Sequence, residues 1–325
     1  MSNDILIVAE QLQGKLADVT FELLGKGRQL AAATGGRLLA VVLGEDAADL
    51  AAELGAADQV LALSHPVLAH FTPEGHEAAL AELLRGRAPR LALIANTSMG
   101  MDLAAGLSAR LGWPLAAYAQ DVSMEGGQVV VTSQLYGGKL MVETAMDGQS
   151  GIVSVLAGAF PADAGRTGGT PAIEQMTPSL PERPRMRFKE LLVPEAGDVD
   201  ITREHILVSV GRGIQSQDNI ELAEELAKAL GGAVSASRPI IDAGWLPKSR
   251  QVGKSGLSVK PKLYLAAGIS GAPEHLEGMR DAELIVALNT DASAPIFDVA
   301  HYGTTADLLD VLPALTEALA ARQVA

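Results

Sequence analysis

Over roughly the first 110 residues, short apolar runs alternate with stretches whose apolar positions recur at helical spacing. Runs at 5–9, 38–43, 59–63 and 91–95 read as strands, and segments 19–33, 47–54, 74–87 and 102–111 read as helices. This alternation predicts a parallel-sheet α/β domain. Gly35-Gly36 and Gly112 stand where helix C-caps are expected. Beyond Gln120 the pattern changes. Strands are predicted at 121–124, 128–134, 140–145 and 152–156, and Gly126-Gly127 and Gly137-Gly138 read as hairpin turns, so an antiparallel extension is expected. Residues 160–185 hold five prolines, a Gly168-Gly169 pair and few large apolar groups, and read as a linker. From near Val193 strand and helix alternate again, with strands at 206–210, 233–235, 263–267 and 284–288. The expected organisation is an N-terminal α/β domain over 1–192, including a Pro-rich linker at about 160–192, and a doubly wound, Rossmann-like domain over 193–325.

Composition narrows the functions open to such a fold. A length of 325 residues suits two domains at roughly 150 residues each. The net charge of −14 repels phosphate backbones, so no nucleic-acid partner is expected, while a small anion in a local basic pocket stays allowed. With no cysteine, disulfides, thiolate catalysis, Cys-type zinc sites and iron–sulfur ligation are all removed, which fits a reducing compartment. The first apolar run is too short for a signal segment, and no run of 18 apolar residues occurs, so a soluble cytoplasmic protein with no membrane span is expected. Aromatic residues make up 3%, so a binding platform must use aliphatic groups, backbone and charge.

Four strands of the second domain end in small or polar residues: Gly211-Arg212-Gly213, Ser237-Arg238, Gly268-Ile269-Ser270-Gly271 and Asn289-Thr290-Asp291. One such ending is ordinary loop chemistry. Four at the carboxyl ends of parallel strands are better explained by a ligand that needs close backbone approach. Gly211-x-Gly213 leads into a helix with acidic residues early, Lys228 late and Gly231-Gly232 at its end, but Ser216 replaces the third glycine of a dinucleotide fingerprint. A conventional nicotinamide dehydrogenase is thereby disfavoured. Gly253-Lys254-Ser255 resembles the tail of a P-loop, yet Lys248 stands where its first glycine belongs. Gly268 to Pro273 passes from strand to helix and suits phosphate oxygens or a plain tight turn, with His275 in the first helical turn. Histidines 65, 70, 76, 205 and 301 show no metal spacing, so no metal site is expected, and no Gly-x-Ser-x-Gly elbow exists.

Taken together, residues 206–320 resemble the C-terminal domain of the electron transfer flavoprotein α subunit (FixB) family. The resemblance lies in V-G-R-G (210–213), N-I-E-L-A-E-E-L-A (219–227), S-R-P-I-I-D-A-G-W-L-P (237–247), R-Q-V-G (250–253) and P-K-L-Y (261–264). It continues through G-I-S-G-A (268–272), A-P-I-F-D-V-A-H-Y-G (294–303) and D-L-L-D-V-L-P-A-L-T-E-A-L (307–319). I-L-I-V-A-E near the start, and Asn96-Thr97 before Met101-Asp102, fit the same family. It implies a heterodimer with a β subunit and FAD held mostly by the second domain. Carried over by position, FAD-binding positions are Arg212, Ser237, Arg238, Gln251, Val252, Gly253, Lys254, Ser255, Gly268, Ser270, Gly271, Ala272, Pro273, Glu274, His275, Asn289, Asp291, Asp307 and Leu308. The resemblance puts Arg238 over the flavin ring, the Ser255 hydroxyl at N5 and His275 at the O2 edge.

Departures from the family pattern cluster in two loops. Lys254 replaces glutamine and Ser255 replaces threonine in the first; Pro273 and Glu274 replace isoleucine and glutamine in the second; Thr290 stands where lysine is common. Serine keeps the hydroxyl, and Lys254 and Glu274, opposite in charge, are expected to compensate each other. The function implied is electron shuttling from dehydrogenases, such as those acting on acyl-CoA in fatty-acid β-oxidation, to a respiratory quinone oxidoreductase. An electron-bifurcating form using NADH, with a second flavin in the β subunit, is the alternative within the family. A nucleotide-binding protein without redox role is the alternative outside it.

Overall fold

The computed structural model describes residues 2–136, 138–181, 184–191 and 199–323. The chain forms two compact units, Met1–Glu190 and Leu191–Ala325. Gly137 of the second expected hairpin turn, Val193 and the boundary expected between 192 and 193 lie outside the described residues.

In chain order the first unit contains β1 (Ile5–Val8), a short hairpin of β2 (Gln11–Leu12) and β3 (Lys15–Leu16), α1 (Asp18–Thr34), β4 (Leu38–Gly44), α2 (Ala47–Ala51), β5 (Gln59–Ser64) and α3 (Pro73–Arg87). It continues with β6 (Leu91–Ala95), α4 (Ser98–Leu111), β7 (Leu115–Glu125), β8 (Gln128–Leu135), β9 (Leu140–Met146), β10 (Gly151–Val155) and β11 (Ala172–Met176). Nine of these strands make one sheet in the order β11-β5-β4-β1-β6-β10-β7-β8-β9. The strands from β11 to β7 are parallel, and β8 and β9 add the expected antiparallel extension. The central strands are unbroken apolar runs because both faces are covered. Ile5 and Ile7 point into one core with Leu23 and Leu24 of α1, while Leu6 and Val8 point into the other with Leu80 and Leu84 of α3.

Two segments differ from the sequence expectation. β7 spans 11 residues, where only 121–124 was expected. Its first half runs parallel to β10 and its second half antiparallel to β8, and Tyr118 takes a positive φ of 55° near the changeover. The Pro-rich stretch from residue 160 is packed structure as far as residue 176 rather than a linker. Glu22, buried in α1, accepts the backbone N–H groups of Gly158 at 2.8 Å and Phe160 at 3.4 Å. The Arg166 guanidinium lies 3.9 Å from the Phe21 ring centroid and pairs with Asp18. β11 then pairs with β5 from Ala172↔Gln59 to Met176↔Leu63. It is a half-polar edge strand held by its backbone ladder, so it leaves little hydrophobic signature.

The second unit contains β12 (Ile206–Val210), α5 (Ile220–Leu230), β13 (Ala233–Ala236), α6 (Arg238–Asp242), β14 (Leu263–Ala267), α7 (Pro273–Leu276), β15 (Leu284–Leu288), β16 (Tyr302–Thr304) and α8 (Leu308–Gln323). Its five strands are all parallel, in the order β13-β12-β14-β15-β16. This is a doubly wound sheet whose chain direction switches between β12 and β14. One face packs Val208, Val210 and Leu265 against Ile220, Leu226 and Leu312 of α5 and α8. The other packs Leu207, Tyr264 and Ile285 under Val252, Met279 and Ile296. No helix among the described residues is long and apolar enough to cross a membrane.

The packing of the Pro-rich stretch makes a sharp contrast between two of its glycines. A Cβ at Gly165 would run into the Phe21 carbonyl, whereas one at Gly168 meets nothing within 4 Å. Gly165→Ala should therefore destabilise the first unit by about 1–3 kcal/mol, and Gly168→Ala should be close to neutral. Urea denaturation of the two variants checks this; equal midpoints would return the segment to a loose linker.

Candidate cofactor site

The carboxyl edge of the second sheet is built loop upon loop. Gly211 N–H donates to Ala267 O at 2.9 Å and Gly213 N–H to Gly268 O at 3.0 Å, so the turns after β12 and β14 lie back to back. A Cβ on Gly213 would sit 2.6 Å from Gly268 Cα, and Gly268 itself has φ 68°. These glycines serve contact between loops, where the sequence suggested backbone approach to a ligand. Gly268 N–H reaches Leu288 O at 2.8 Å, and the Asn289 amide donates to Ile269 O at 2.9 Å, tying in the turn after β15. Ser237, buried at the N-cap of α6, donates its N–H to Val210 O at 3.0 Å. Gly271 is buried against the Ile296 backbone.

A second layer covers one side of this edge. Val252 N–H donates to Ala236 O at 2.9 Å, extending the line of β13. The loop then closes on itself through Gly253 N–H to Leu257 O at 3.1 Å and Leu257 N–H to Gln251 O at 2.8 Å. The buried Gln251 amide donates to Ser255 Oγ at 2.8 Å. Lys254 N–H donates to Glu274 O at 2.7 Å and joins this loop to the start of α7. Thus 251–255 and 272–275, far apart in sequence, meet at one place.

Charge is presented outward. Arg212, Arg238, Lys254, Ser255, Ser270, Ala272, Pro273, Glu274, Asp291 and Asp307 are all exposed. The Arg238 Nε lies 3.2 Å from Asp242 one helical turn on, with both side chains more than half exposed. The Lys254 ammonium lies 3.8 Å from Glu277, a carboxylate other than the Glu274 that the sequence suggested. Asp291 is engaged locally, accepting Ser293 N–H at 2.9 Å and the Ser293 hydroxyl, which hold its carboxyl below the usual range. Asp307 caps α8 through Leu309 N–H at 3.0 Å. The Leu308 side chain belongs to the core beneath Gly268.

His275 is buried rather than presented to solvent, with 7% of its surface exposed. Its Nε2 lies 2.9 Å from the Tyr264 hydroxyl, which lies 2.7 Å from the Ser209 hydroxyl. Its Nδ1 is buried with no hydrogen-bond partner among the described residues, as is the Ser235 hydroxyl. Burial pushes the imidazole pKa down to about 4, and the neighbouring Val252 backbone works against that drop. Tyr264, fully buried, is raised well above the usual phenol value by the same desolvation, opposed by Ser209 and Ser235. The sequence reading passed over Tyr264, Ser209 and Ser235. Their signal was present as polar positions inside strands that are otherwise apolar: I-L-V-S-V, A-V-S-A and L-Y-L-A-A. Among the described residues no three His, Asp or Glu side chains gather to hold a metal ion.

Residues 5–181 match the family model described as the electron transfer flavoprotein domain, and residues 200–280 match the electron transfer flavoprotein FAD-binding domain. The chain belongs to the electron transfer flavoprotein α-subunit family. It is 37% identical to Protein FixB of Clostridium saccharobutylicum over 318 residues, covering 96% of this chain and 94% of that one. It is 35% identical to the electron transfer flavoprotein subunit alpha of Bacillus subtilis, covering 98% and 97%. The acryloyl-CoA reductase electron transfer subunit beta of Anaerotignum propionicum is also 35% identical, covering 97% and 95%. In this family context the carboxyl edge of the second sheet, spanned by the FAD-binding model through residue 280, is the candidate cofactor site.

The buried imidazole gives a pH signature. Its folded pKa lies below the unfolded value near 6.5, so its contribution to stability is complete above that pH and is lost as pH falls toward about 4. His275→Gln should flatten the fall in stability between pH 7 and pH 5 by about 2 kcal/mol. His76, also buried and pushed down to about 4, supplies the same background slope in both proteins. Parallel stability–pH curves in matched urea titrations would mean that the imidazole is solvated in the folded chain.

Proposed function

We propose that this chain is the α subunit of a heterodimeric electron transfer flavoprotein. It holds FAD at the carboxyl edge of its second sheet and relays electrons from primary dehydrogenases to a quinone oxidoreductase. The observation that carries the reading is the convergence of the end of β13, the 251–255 loop and the start of α7 within the segment that matches a FAD-binding domain. The residues suit a flavin nucleotide on two further counts. His275 Nδ1 is a buried polar atom still lacking a partner, and exposed Arg212, Arg238 and Lys254 offer cations within an acidic chain.

In this reading Arg212 and the backbone around Ser270–Ala272 hold the phosphates, with Asp307 at the head of α8 and Asn289 shaping the far wall. Arg238 would lie against the ring, Ser255 would offer its hydroxyl at N5, and His275 would stand at the O2 edge. FAD, when bound, supplies the one- and two-electron chemistry that the side chains of this cysteine-free chain lack. The guanidinium of Arg238, released from Asp242, favours negative charge gained by the ring on reduction. Domains at 1–192 and 193–325, a cytoplasmic location, dehydrogenases of acyl-CoA substrates as donors, and a role in fatty-acid β-oxidation complete the proposal. An NADH-fed bifurcating form is the second reading, and a relative named as an acryloyl-CoA reductase electron transfer subunit is as similar as one named plainly as the α subunit.

Co-expression with a β subunit should yield a 1:1 heterodimer from which FAD is extracted, identified by mass spectrometry. A colourless heterodimer would leave a nucleotide-binding protein without redox role, and a second FAD in the β subunit would select bifurcation. In the loaded heterodimer, Arg238→Ala should lower the flavin reduction potential on the order of 59 mV, one log unit for a one-electron step. An unchanged potential in potentiometric titration would remove Arg238 from the ring.

A further inference from the structure

Asn219 stands where an asparagine ordinarily caps a helix, yet it makes no cap. It is the N-cap of α5, with φ −72° and ψ −10°, and its side chain accepts no N–H from the first turn. A capping asparagine normally takes extended backbone and turns its side-chain oxygen onto the second or third N–H of the helix. Here the side chain reaches back along the sequence instead, and its Nδ2 donates to Ile214 O at 2.8 Å. The same carbonyl accepts Ser216 N–H at 2.9 Å.

The turn gripped in this way is strained. Gln215 has φ 71° and ψ −42°. With the bond from Ser216 to Ile214 closing it, this is close to a γ-turn of the left-handed kind, which residues with a Cβ rarely hold. Just before it lies a single 3-10 turn, Arg212–Ile214, in which Ile214 N–H donates to Gly211 O at 3.0 Å and Gln215 N–H to Arg212 O at 3.1 Å. A strained residue persists only where its surroundings over-determine it. Here the glycine contact with Gly268 fixes the start of the turn, the buried Ile214 side chain anchors its middle in the core, and the Asn219 amide holds its far end.

What this turn carries is Arg212. Its side chain is exposed and has no hydrogen bond or ion pair among the described residues, unlike Arg238 beside Asp242 and Lys254 beside Glu277. The backbone beneath it therefore sets its direction. A guanidinium binds phosphate through a planar fork, so its orientation matters more than that of a point charge. The neighbouring turn repeats the device. Ile269, buried, follows Gly268, and the Asn289 amide donates to its carbonyl at 2.9 Å. Each of the two turns beside the switch point is thus held at the carbonyl of a buried isoleucine by an asparagine from further along the chain.

Building on the cofactor reading above, we propose that Asn219 is a positioning residue: its amide clamps Ile214 O, holds the Gln215 turn in its left-handed form, and so aims the Arg212 guanidinium at the phosphates of the bound flavin nucleotide. FAD dissociation from the heterodimer of the full chain with a β subunit, measured over a range of salt, tests this. Asn219→Asp is the deciding variant. Aspartate caps a helix as well as asparagine does but has no N–H to donate, so a capping role predicts no loss. The clamp predicts FAD held about fivefold less tightly. It also predicts a flatter salt dependence, because salt screens the hold of an exposed cation on phosphate. Arg212→Ala should show the same flattening, and adding Asn219→Asp to it should weaken FAD no further. Wild-type affinity in Asn219→Asp, a loss equal at every salt concentration, or a loss that simply adds to that of Arg212→Ala overturns the proposal. Should Asn219→Asp fail to fold, Asn219→Ala takes its place in the same cycle. Hydrogen exchange over residues 211–217 of the full chain, with no flavin added, tests the clamp itself. The N–H groups of Gln215 and Ser216 should exchange about tenfold faster in the Asn219 variant and as in wild type in Arg212→Ala; unchanged exchange in the Asn219 variant also overturns the proposal. A heterodimer that takes up no FAD, with exchange raised as expected, would overturn the cofactor reading and leave Asn219 standing as the clamp of this turn.

Discussion

The second unit hangs from a contact between two turns, Gly211–Gly213 after β12 and Gly268 after β14. The pair of backbone bonds there, Gly213 to Gly268 and Gly211 to Ala267, admits no Cβ at Gly213. It stands at the place where the chain changes direction across the sheet. Two of the turns that reach the candidate site are tied beside it by one further bond each, Ser237 through Val210 and Asn289 through Ile269. Arg212 is carried on the crest of one turn and Ser270 on the next. Their separation is therefore set by backbone, and no flexible side chain has to hold it. A preformed edge of this kind spares a ligand the entropy of ordering loops.

Above that rigid base, the charges are held lightly. The Arg238–Asp242 pair is mutually exposed, and one contact of the Lys254 ammonium is Glu277 at 3.8 Å. Pairs of this sort are worth about 0–1 kcal/mol. They keep the cations from wandering without competing seriously with a phosphate or a reduced ring. Below it the opposite regime holds. Ser209 and His275 are buried and both bond to the buried Tyr264 hydroxyl, where any unmet donor costs about 1–3 kcal/mol. The site thus combines a soft charged rim with a stiff neutral floor.

How far this was readable from the sequence depended on burial. Strands covered on both faces, such as β1, β4 and β14, announce themselves as apolar runs, and their ends mark the site. The first half of β7 did not, because its Tyr118 and Gln120 break the pattern just where its pairing changes from parallel to antiparallel. β11 and β16 are edge strands with exposed residues, stabilised by backbone bonds that leave no periodic trace. At the site, the resemblance supplied which residues converge, but not their partners. Glu277 rather than Glu274 beside Lys254 is a matter of helical phase within α7 and just beyond it, which composition does not encode. Tyr264 was hidden by its motif: in P-K-L-Y it reads as one more strand residue, and only the fold brings Ser209 under its hydroxyl.

Each unit has its own sheet, with a parallel part that switches direction beside its first strand, and the two fill that position with opposite chemistry. In the first unit the switch lies between β1 and β6, and Glu10 follows β1 there. Its carboxyl accepts the hydroxyl of Thr97, whose oxygen in turn accepts Gly100 N–H at the start of α4. Burial raises the Glu10 pKa, and the bond from Thr97 opposes the rise. The helix N-terminus that could meet an anion is therefore already satisfied by the chain's own side chains, with an acidic group in front of it. In the second unit Arg212 occupies the corresponding turn after β12, and α7, the helix after the strand across the switch, has Ala272 at its N-cap with no side-chain bond to the helix. An acidic group in front of a helix start disfavours a phosphate there, and a nearby guanidinium favours one. Topology offers each unit a crevice at its switch, and the side chain in the turn after the first strand gives the two crevices opposite charge.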